Sequence, residues 1–338
     1  MTPRLAARRA AYAAVSTKLS LLSDQQLRSV VAAGHPLESG IGGRLAEVDV
    51  DGTRVFVKRI PLTDLELQPG NVRSTANLFE LPLFYQYGVG SAGFGAWREL
   101  AVHTMTTNWV LANEFTGFPL MYHWRIQPDS APEGFADGFG GIDPMVAHWE
   151  GSEAVRRRLE AIGGSSHNLV VFLEFVPSTL DGWLNKHPDP ASYEWLDNAL
   201  MSGADFMSAQ GLVHFDAHFN NLLTDGQELY FADFGLALYR GFDLSAAESE
   251  FLSRHLCYDR VYAAAHLLRY HLPDGIRSES EHDTFLSDWI PGRKPDGVSP
   301  EMARIIDRHA ATSITMDDFY RRLRTQSKRT PFPTAEFE

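Results

Sequence analysis

The residues best suited to chemistry stand close together in the second half of the chain. His214, Asp216, His218 and Asn221 fall within one short stretch, and Asp233-Phe234-Gly235 follows after a strand-turn-strand pattern. A few oxygen ligands, completed by water and phosphate, are what Mg²⁺ prefers in proteins. We therefore predict that Asn221 and Asp233 hold Mg²⁺. Asp216 places a second carboxylate at the mouth of the same site but does not bind the metal.

A hairpin is predicted between the two metal-binding positions. Thr224 to Gln227 are turn-forming residues, and a turn centred on Asp225-Gly226 pairs Asn221 with Tyr230 on the following strand. Asp233 then lies beyond that partner by roughly 10 Å along the strand. Two side chains that lean towards each other can share one hard cation across that gap.

These motifs resemble those of the protein-kinase-like superfamily, whose catalytic loop is His-x-Asp-x-x-x-x-Asn and whose metal loop is Asp-Phe-Gly. The resemblance implies an enzyme that uses ATP and Mg²⁺. It makes Asp216 the base that accepts a proton from the acceptor hydroxyl, with Asn221 and Asp233 at the metal-binding positions. For His214, which matches the motif histidine, we predict a structural hydrogen-bonding role.

His218 follows the predicted base by two positions, where related small-molecule phosphotransferases such as aminoglycoside kinases often have histidine. When protonated, such a histidine can stabilise the phosphate being transferred. A structural hydrogen-bonding role is the alternative, and both remain open from the sequence.

The resemblance extends to a strand in the first half of the chain. Val55-Phe56-Val57-Lys58 matches the family's Val-Ala-Ile-Lys and follows a hairpin signal at Asp51-Gly52, which implies that Lys58 contacts the α- and β-phosphates. Glu99 is the candidate partner of Lys58 in an ion pair, with Glu80 as the alternative. A glycine-rich segment precedes the hairpin, where backbone N–H groups can approach an anion; its glycines are Gly40, Gly42 and Gly43.

Leu173 to Pro177 is similar to the family's hinge. The resemblance implies that the Glu174 carbonyl and the Val176 amide read adenine, and a plain core strand is the alternative. Phe56 stands where the family has a small alanine. Strand alternation places Phe56 on the same face as Lys58, so we expect its ring to narrow the base pocket or to stack on the base.

The wider sequence predicts two lobes. A chain of 338 residues with 44% hydrophobic residues is longer than one core usually supports. Strand signals crowd the first half and helix signals the second, so the predicted class is α+β, in a two-lobed protein-kinase-like fold whose N-lobe is an antiparallel sheet with a helix and whose C-lobe is mainly helical. The predicted segments are 1–22 (an N-terminal extension), 23–175 (the N-lobe with insertions), 176–327 (the helical C-lobe) and 328–338 (a tail).

Charge and composition exclude several classes of protein. The net charge of −13 argues against a broad basic face, so we predict no nucleic-acid partner. We also predict no membrane partner and a cytoplasmic location, because glycines and a proline interrupt the uncharged stretch from Leu81 to Trp97. A single cysteine, Cys257, excludes an internal disulfide framework. The basic run Arg156 to Arg158 is typical of a solvated helix face.

Three functions are compatible with these features. The first is an ATP- and Mg²⁺-dependent phosphotransferase that moves the γ-phosphate to a hydroxyl, with a small-molecule acceptor slightly favoured. The second is an atypical protein serine/threonine kinase. The third is a catalytically inactive nucleotide-binding scaffold, suggested by Phe56 and by Leu45 at the place of the third loop glycine. The resemblance covers Leu37 to Leu272, and no Ala-Pro-Glu motif follows Asp233.

Overall fold

The chain has an α+β architecture in two compact units. A computed structural model describes residues 2–40, 43–88, 90–131, 134–272, 276, 282–290, 292 and 298–337. Both units are built from alternating stretches of the chain, so the polypeptide passes between them more than once. The first unit contains Met1–Val176, Asp233–Ala237 and Gly241–Ala246, and the second contains Pro177–Ala232, Leu238–Arg240 and Ala247–Glu338.

The first unit is built on an antiparallel sheet with the strand order β1-β2-β3-β5-β4. The hairpin predicted at Asp51-Gly52 is confirmed: Val50 pairs with Thr53, and both turn residues have positive φ, 50° and 84°. Two positive φ angles are what a type I′ turn requires. The strands are β1 (His35–Gly40), β2 (Gly43–Val50), β3 (Thr53–Leu62), β4 (Met121–Pro128) and β5 (His167–Glu174).

The first unit also contains helices, and a capping box formed by Ser23 and Gln26 begins the second of them. The helix that matters most for the site packs Trp97 and Leu100 onto a core cluster of Ile60, Leu62 and Val171. This cluster lies on the face of β3 that also carries Lys58, because residues alternate along a strand. The helices are α1 (Pro3–Leu21), α2 (Asp24–Ala32), α3 (Asp64–Leu67), α4 (Ala96–Ala112), α5 (Ile142–His148) and α6 (Glu153–Gly163).

A buried carboxylate fixes the start of α4. Glu66 accepts a hydrogen bond from the Ala96 amide at 2.8 Å and pairs with Arg158 at 2.9 Å. Burial would raise the pKa of Glu66, but Arg158 and the hydrogen bonds from Thr63 hold it below its usual value. The prediction of a solvated helix face is therefore wrong for Arg158, because the apolar side of α6 turns this arginine towards Glu66.

The second unit is mainly helical. Its short strands form a β6-β8-β9 sheet and a β10-β7 pair. Phe332, in the predicted tail, is buried and stacks on His255 with ring centroids 4.7 Å apart. The helices are α7 (Leu180–Leu184), α8 (Pro190–Gln210), α9 (Ala246–Arg254), α10 (Tyr258–Tyr270), α11 (His282–Trp289) and α12 (Pro300–Thr325); the strands are β6 (Ser178–Thr179), β7 (Leu212–Val213), β8 (Leu222–Thr224), β9 (Leu229–Phe231) and β10 (Leu238–Tyr239).

Among the described residues, no helix combines the length and the apolar character needed to cross a lipid bilayer.

Candidate functional site

Three of the predicted site residues meet in the first unit. Lys58 projects from β3 towards α4, and its Nζ lies 2.8 Å from Glu99 Oε1 and 2.8 Å from Asp233 Oδ1. Lys58 and Glu99 are both buried, whereas the Asp233 side chain is 42% exposed. We call Lys58, Glu99 and Asp233 the lysine cluster. Glu99 is therefore the partner of Lys58, while Glu80 lies exposed in a turn at a positive φ of 54°.

The lysine cluster keeps its cation charged. Burial by itself would lower the pKa of Lys58, but the carboxylates of Asp233 and Glu99 outweigh burial and raise the pKa above its usual value. An ion pair this deeply buried is costly to assemble. Lys58 is therefore a fixed positive charge on the core face of the sheet.

The phenylalanine of the Asp-Phe-Gly segment is anchored in the core of the first unit. Phe234 is fully buried and packs edge-on against His103, with ring centroids 5.1 Å apart, and against Phe118. His103 Nε2 lies 3.8 Å from Glu99 Oε1, one helical turn away on α4. Asp233 itself has a φ of 61°, a conformation that is uncommon for aspartate and that occurs often at functional sites.

The residues between β3 and α4 hold the chain after Asp233. A Cβ atom on Gly93 would lie 2.6 Å from the Gly235 carbonyl oxygen, so only glycine allows this close approach. Further along, the Asp243 amide donates to Thr75 Oγ1 at 2.9 Å, and Arg98 Nε donates to the Thr75 carbonyl at 2.7 Å. The long segment before α4 and the first turns of α4 therefore fix both the Asp-Phe-Gly segment and the residues that follow it.

The glycine-rich segment is described in part. Gly40 pairs with Gly43 between β1 and β2, and Gly42 lies outside the described residues. Gly43 has a φ of 130°, and a Cβ atom there would lie 2.1 Å from the Arg59 carbonyl oxygen. Close packing of β2 on β3 therefore requires glycine at this position.

The predicted base-reading residues also belong to the first unit. Glu174 ends β5, and its backbone amide donates to the Leu120 carbonyl at 2.7 Å. Within the described part of the chain, the Val176 amide forms no hydrogen bond. Phe56 is half-buried and packs against the core cluster, on the same face as Lys58 as the alternation predicts.

A second group of predicted residues meets in the second unit. Asn221 Nδ2 donates to Asp216 Oδ2 at 2.9 Å and to the Asp216 carbonyl at 3.0 Å. His218 Nε2 lies 3.8 Å from Asp216 Oδ1, and the Asp216 side chain is 27% exposed. We call His214, Asp216, His218 and Asn221 the histidine-loop cluster. Because Asn221 uses its nitrogen to hold Asp216, its side-chain oxygen is the atom that suits a hard cation.

The hairpin after Asn221 differs from the predicted one. Leu223 pairs with Tyr230, and the Ala232 amide donates to the Asn221 carbonyl at 3.1 Å. The predicted pairing of Asn221 with Tyr230 is therefore wrong by two residues. The loop is longer than a two-residue turn because Asp225 Oδ1 accepts from the amides of Gln227 and Glu228. As a result, Asp233 directly follows the residue bonded to Asn221.

The histidine-loop cluster rests on a carboxylate that sequence reasoning missed. Asp259 accepts hydrogen bonds from the His214 amide at 2.6 Å and the Phe215 amide at 3.0 Å, and Phe215 has a positive φ of 64°. Burial raises the pKa of Asp259 to about 7 despite these two hydrogen bonds. Its only sequence signal is that of an acidic residue in the first turn of a helix.

His214 has the structural role predicted for it. Its Nε2 donates to the Ala232 carbonyl at 2.8 Å, and its Nδ1 accepts from the Asp216 amide at 3.2 Å. In His218, Nδ1 accepts from the Asn220 amide at 3.3 Å, so Nε2 carries the proton that faces Asp216.

The site residues thus form two groups, one in each unit. Among the described residues, no cluster of three or more His, Cys, Asp or Glu side chains is arranged to hold a metal ion. The predicted pair of one carboxylate and one amide is a smaller donor set, of the kind that Mg²⁺ shares with water and phosphate. No protein-family model matches the chain, and no curated protein matches it in sequence.

Proposed function

We propose that this chain is an ATP- and Mg²⁺-dependent phosphotransferase that moves the γ-phosphate to a hydroxyl acceptor. The lysine cluster is the observation that carries the proposal. Replacing a buried ion pair with apolar residues is often neutral or stabilising, so stability alone does not explain Lys58 between Glu99 and Asp233. A fixed cation with one partner on a helix and one in an Asp-Phe-Gly loop is suited to binding phosphate oxygens.

The proposal includes a two-lobed protein-kinase-like fold. It is supported by the antiparallel sheet of the first unit, by α4 between β3 and β4 in the chain, and by the mainly helical second unit. In this interpretation β3 carries the phosphate-binding Lys58, and α4 carries its partner Glu99.

The nucleotide and the metal are assigned to residues of both groups. Lys58 binds the α- and β-phosphates, with the backbone of the glycine-rich segment close to the phosphates, and Glu174 and Val176 read the base. Asn221 and Asp233 hold Mg²⁺. When bound, Mg²⁺ supplies positive charge that neutralises the phosphate oxygens.

Asp216 acts as the base in the proposed reaction. The acceptor oxygen attacks the γ-phosphorus, the bond from this phosphorus to the β–γ bridging oxygen breaks, ADP leaves, and the hydroxyl proton passes to Asp216. Asn221 orients the carboxylate through Oδ2, and we assign the proton to Oδ1, the oxygen that faces His218. His218 Nε2 carries a proton and so offers a hydrogen-bond donor beside the reacting oxygens.

A small-molecule acceptor is favoured over a protein. The residues after Asp-Phe-Gly are held against Thr75 and Arg98, and the Arg98 guanidinium lies over the Phe242 ring at 5.5 Å. Such a docked segment leaves little chain for a regulated activation loop, and the sequence lacks Ala-Pro-Glu after Asp233.

The test is transfer of labelled γ-phosphate from ATP to a mixed panel of hydroxyl-bearing metabolites and proteins. Asp216→Asn should lower the rate by about 10²–10⁴-fold, because it removes the base. Asp205→Asn is the matched control, since Asp205 is exposed in the same unit and pairs only with Arg260 among the interactions described. Label on proteins alone would favour the protein kinase. Nucleotide binding without any transfer would favour the inactive scaffold, and an Asp216→Asn rate equal to that of the wild type would overturn the mechanism.

A further inference from the structure

The N-terminal helix α1 places a charged residue in an apolar stripe. Leu5, Arg8, Val15 and Leu19 are the buried residues of this helix, and Arg8 is 7% exposed. An arginine is rarely buried to this extent unless its donors are satisfied. The partners of Arg8 therefore show what the helix is attached to.

Arg8 joins three segments of the first unit. Its Nε donates to Glu174 Oε1 at 2.9 Å and its Nη2 to Glu174 Oε2 at 2.7 Å, the paired geometry that makes arginine–carboxylate contacts strong. The same guanidinium donates to the Thr116 carbonyl at 2.8 Å and to the Phe118 carbonyl at 2.6 Å. It thus connects α1, the chain that leads into β4, and the end of β5.

Glu174 is fixed at its backbone and at its carboxylate. Its amide donates to the Leu120 carbonyl, and its Oε2 accepts from the Leu120 amide at 3.1 Å as well as from Arg8. The carboxylate is 15% exposed, so loss of Arg8 would leave a charge in a partly buried position. The carboxylate would then turn towards water and displace the strand end that carries it.

We infer that Arg8 is a positioning residue for the nucleotide base: it holds the end of β5 so that the Glu174 carbonyl and the Val176 amide keep the spacing that adenine requires. This inference rests on the proposed function. It makes α1 part of the nucleotide site, although the kinase-like resemblance begins only at Leu37. Because Arg8 acts on the base-reading strand, its loss should weaken recognition of adenine and spare binding of the phosphates at Lys58.

Binding titrations on the full chain separate these effects. The probes are Mg²⁺–ATP, Mg²⁺–GTP and Mg²⁺–tripolyphosphate, which lacks a base, and the variants are Arg8→Gln and Arg8→Lys. Arg8→Gln should weaken the affinity for ATP about 5–20-fold and change the affinity for tripolyphosphate by less than about twofold. It should also reduce the preference for ATP over GTP. Arg8→Lys keeps the positive charge but loses the paired geometry, so its affinity for ATP should fall by an intermediate amount. Lys18→Gln is the control, because Lys18 lies on the same helix in an exposed pair with Asp51 and should leave all three affinities unchanged.

Glu174→Gln provides a second variant if Arg8→Gln folds poorly. It removes the carboxylate charge that Arg8 compensates, and it should also weaken the binding of ATP more than the binding of tripolyphosphate. Unchanged ATP affinity in Arg8→Gln, or in Glu174→Gln if Arg8→Gln does not fold, would overturn the inference, as would equal weakening of ATP and tripolyphosphate. A wild-type chain that binds neither probe would instead overturn the proposed function itself, and the inference with it.

Discussion

Lys58 and Asp216 are held in opposite ways. Lys58 is fixed by its side chain, through ion pairs to Glu99 and Asp233 that are far away in sequence. Asp216 is fixed mainly by its loop, whose backbone amides at His214 and Phe215 are bonded to Asp259. One position therefore depends on buried charge, and the other on the shape of the backbone. Variants should separate activity from stability differently at the two positions.

The largest effect is expected at Lys58. Lys58→Met should abolish phosphate transfer and also destabilise the fold by about 3–5 kcal/mol, because the buried Glu99 carboxylate loses its lysine partner. The measurements are the transfer rate and urea unfolding. The double variant Lys58→Met/Glu99→Met should recover most of the stability and none of the activity. If the single variant unfolds like the wild type, buried charge does not hold this region.

Asp216→Asn should lower activity while leaving stability nearly unchanged. The loss of transfer described above should come with a change in unfolding free energy of less than about 0.5 kcal/mol, because the side chain is partly exposed and asparagine keeps an oxygen for the Asn221 hydrogen bond. Thermal unfolding beside the activity assay provides the measurement. A large stability loss would show that the Asp216 side chain, rather than the backbone, holds the loop.

The stability contributed by Asp259, which binds the His214 and Phe215 amides, should respond to pH. Because the pKa of Asp259 is raised to about 7, its favourable contribution is complete below about pH 4 and is lost as pH rises through 7. Asp259→Asn is neutral throughout, so its stability relative to the wild type should increase between pH 4 and 8, by up to about 4 kcal/mol. Urea unfolding across this range tests the sign, and Asp205→Asn, at an exposed aspartate of the same unit, is the matched control.

At His255 we expect a smaller effect of pH on stability, with a sign opposite to that at Asp259. Burial lowers the pKa of His255 to about 4, so this residue destabilises the fold as pH falls from 6.5 through 4. The ring stacks on Phe251 and Phe332, and a phenylalanine can keep these contacts. His255→Phe should lose about 1 kcal/mol at pH 7 with the hydrogen bond to the Phe251 carbonyl, but should be less sensitive to acid by about 1–3 kcal/mol. Parallel stability curves for variant and wild type would contradict this assignment.

The features that could be predicted from the sequence are those set by residues close together in the chain. The Asp51-Gly52 turn and the shared face of Phe56 and Lys58 depend on neighbours in the chain, and the structure has both. The hairpin after Asn221 shows the limit of such signals, because the side chain of Asp225 lengthens the turn by bonding two backbone amides.

The residues that sequence reasoning missed are defined by distant partners. Glu66 needs Arg158, Arg8 needs Glu174, and Asp259 needs the backbone amides of the histidine loop. Before folding, each is an ordinary charged residue on a helix or near its start. Only long-range contacts turn them into buried supports, so periodicity and motif spacing do not distinguish them from surface charges.

The alternation of the chain between its two units has a consequence for synthesis. Translation completes β1 to β5 and α4 well before the ribosome reaches Asp233, which belongs to the first unit and completes the lysine cluster. During that interval, of the two carboxylates in the lysine cluster, only Glu99 has been synthesised and can pair with Lys58. Nascent chains halted before Asp233 should therefore resist a protease less well than chains that extend past Ala246, where the last stretch of the first unit ends.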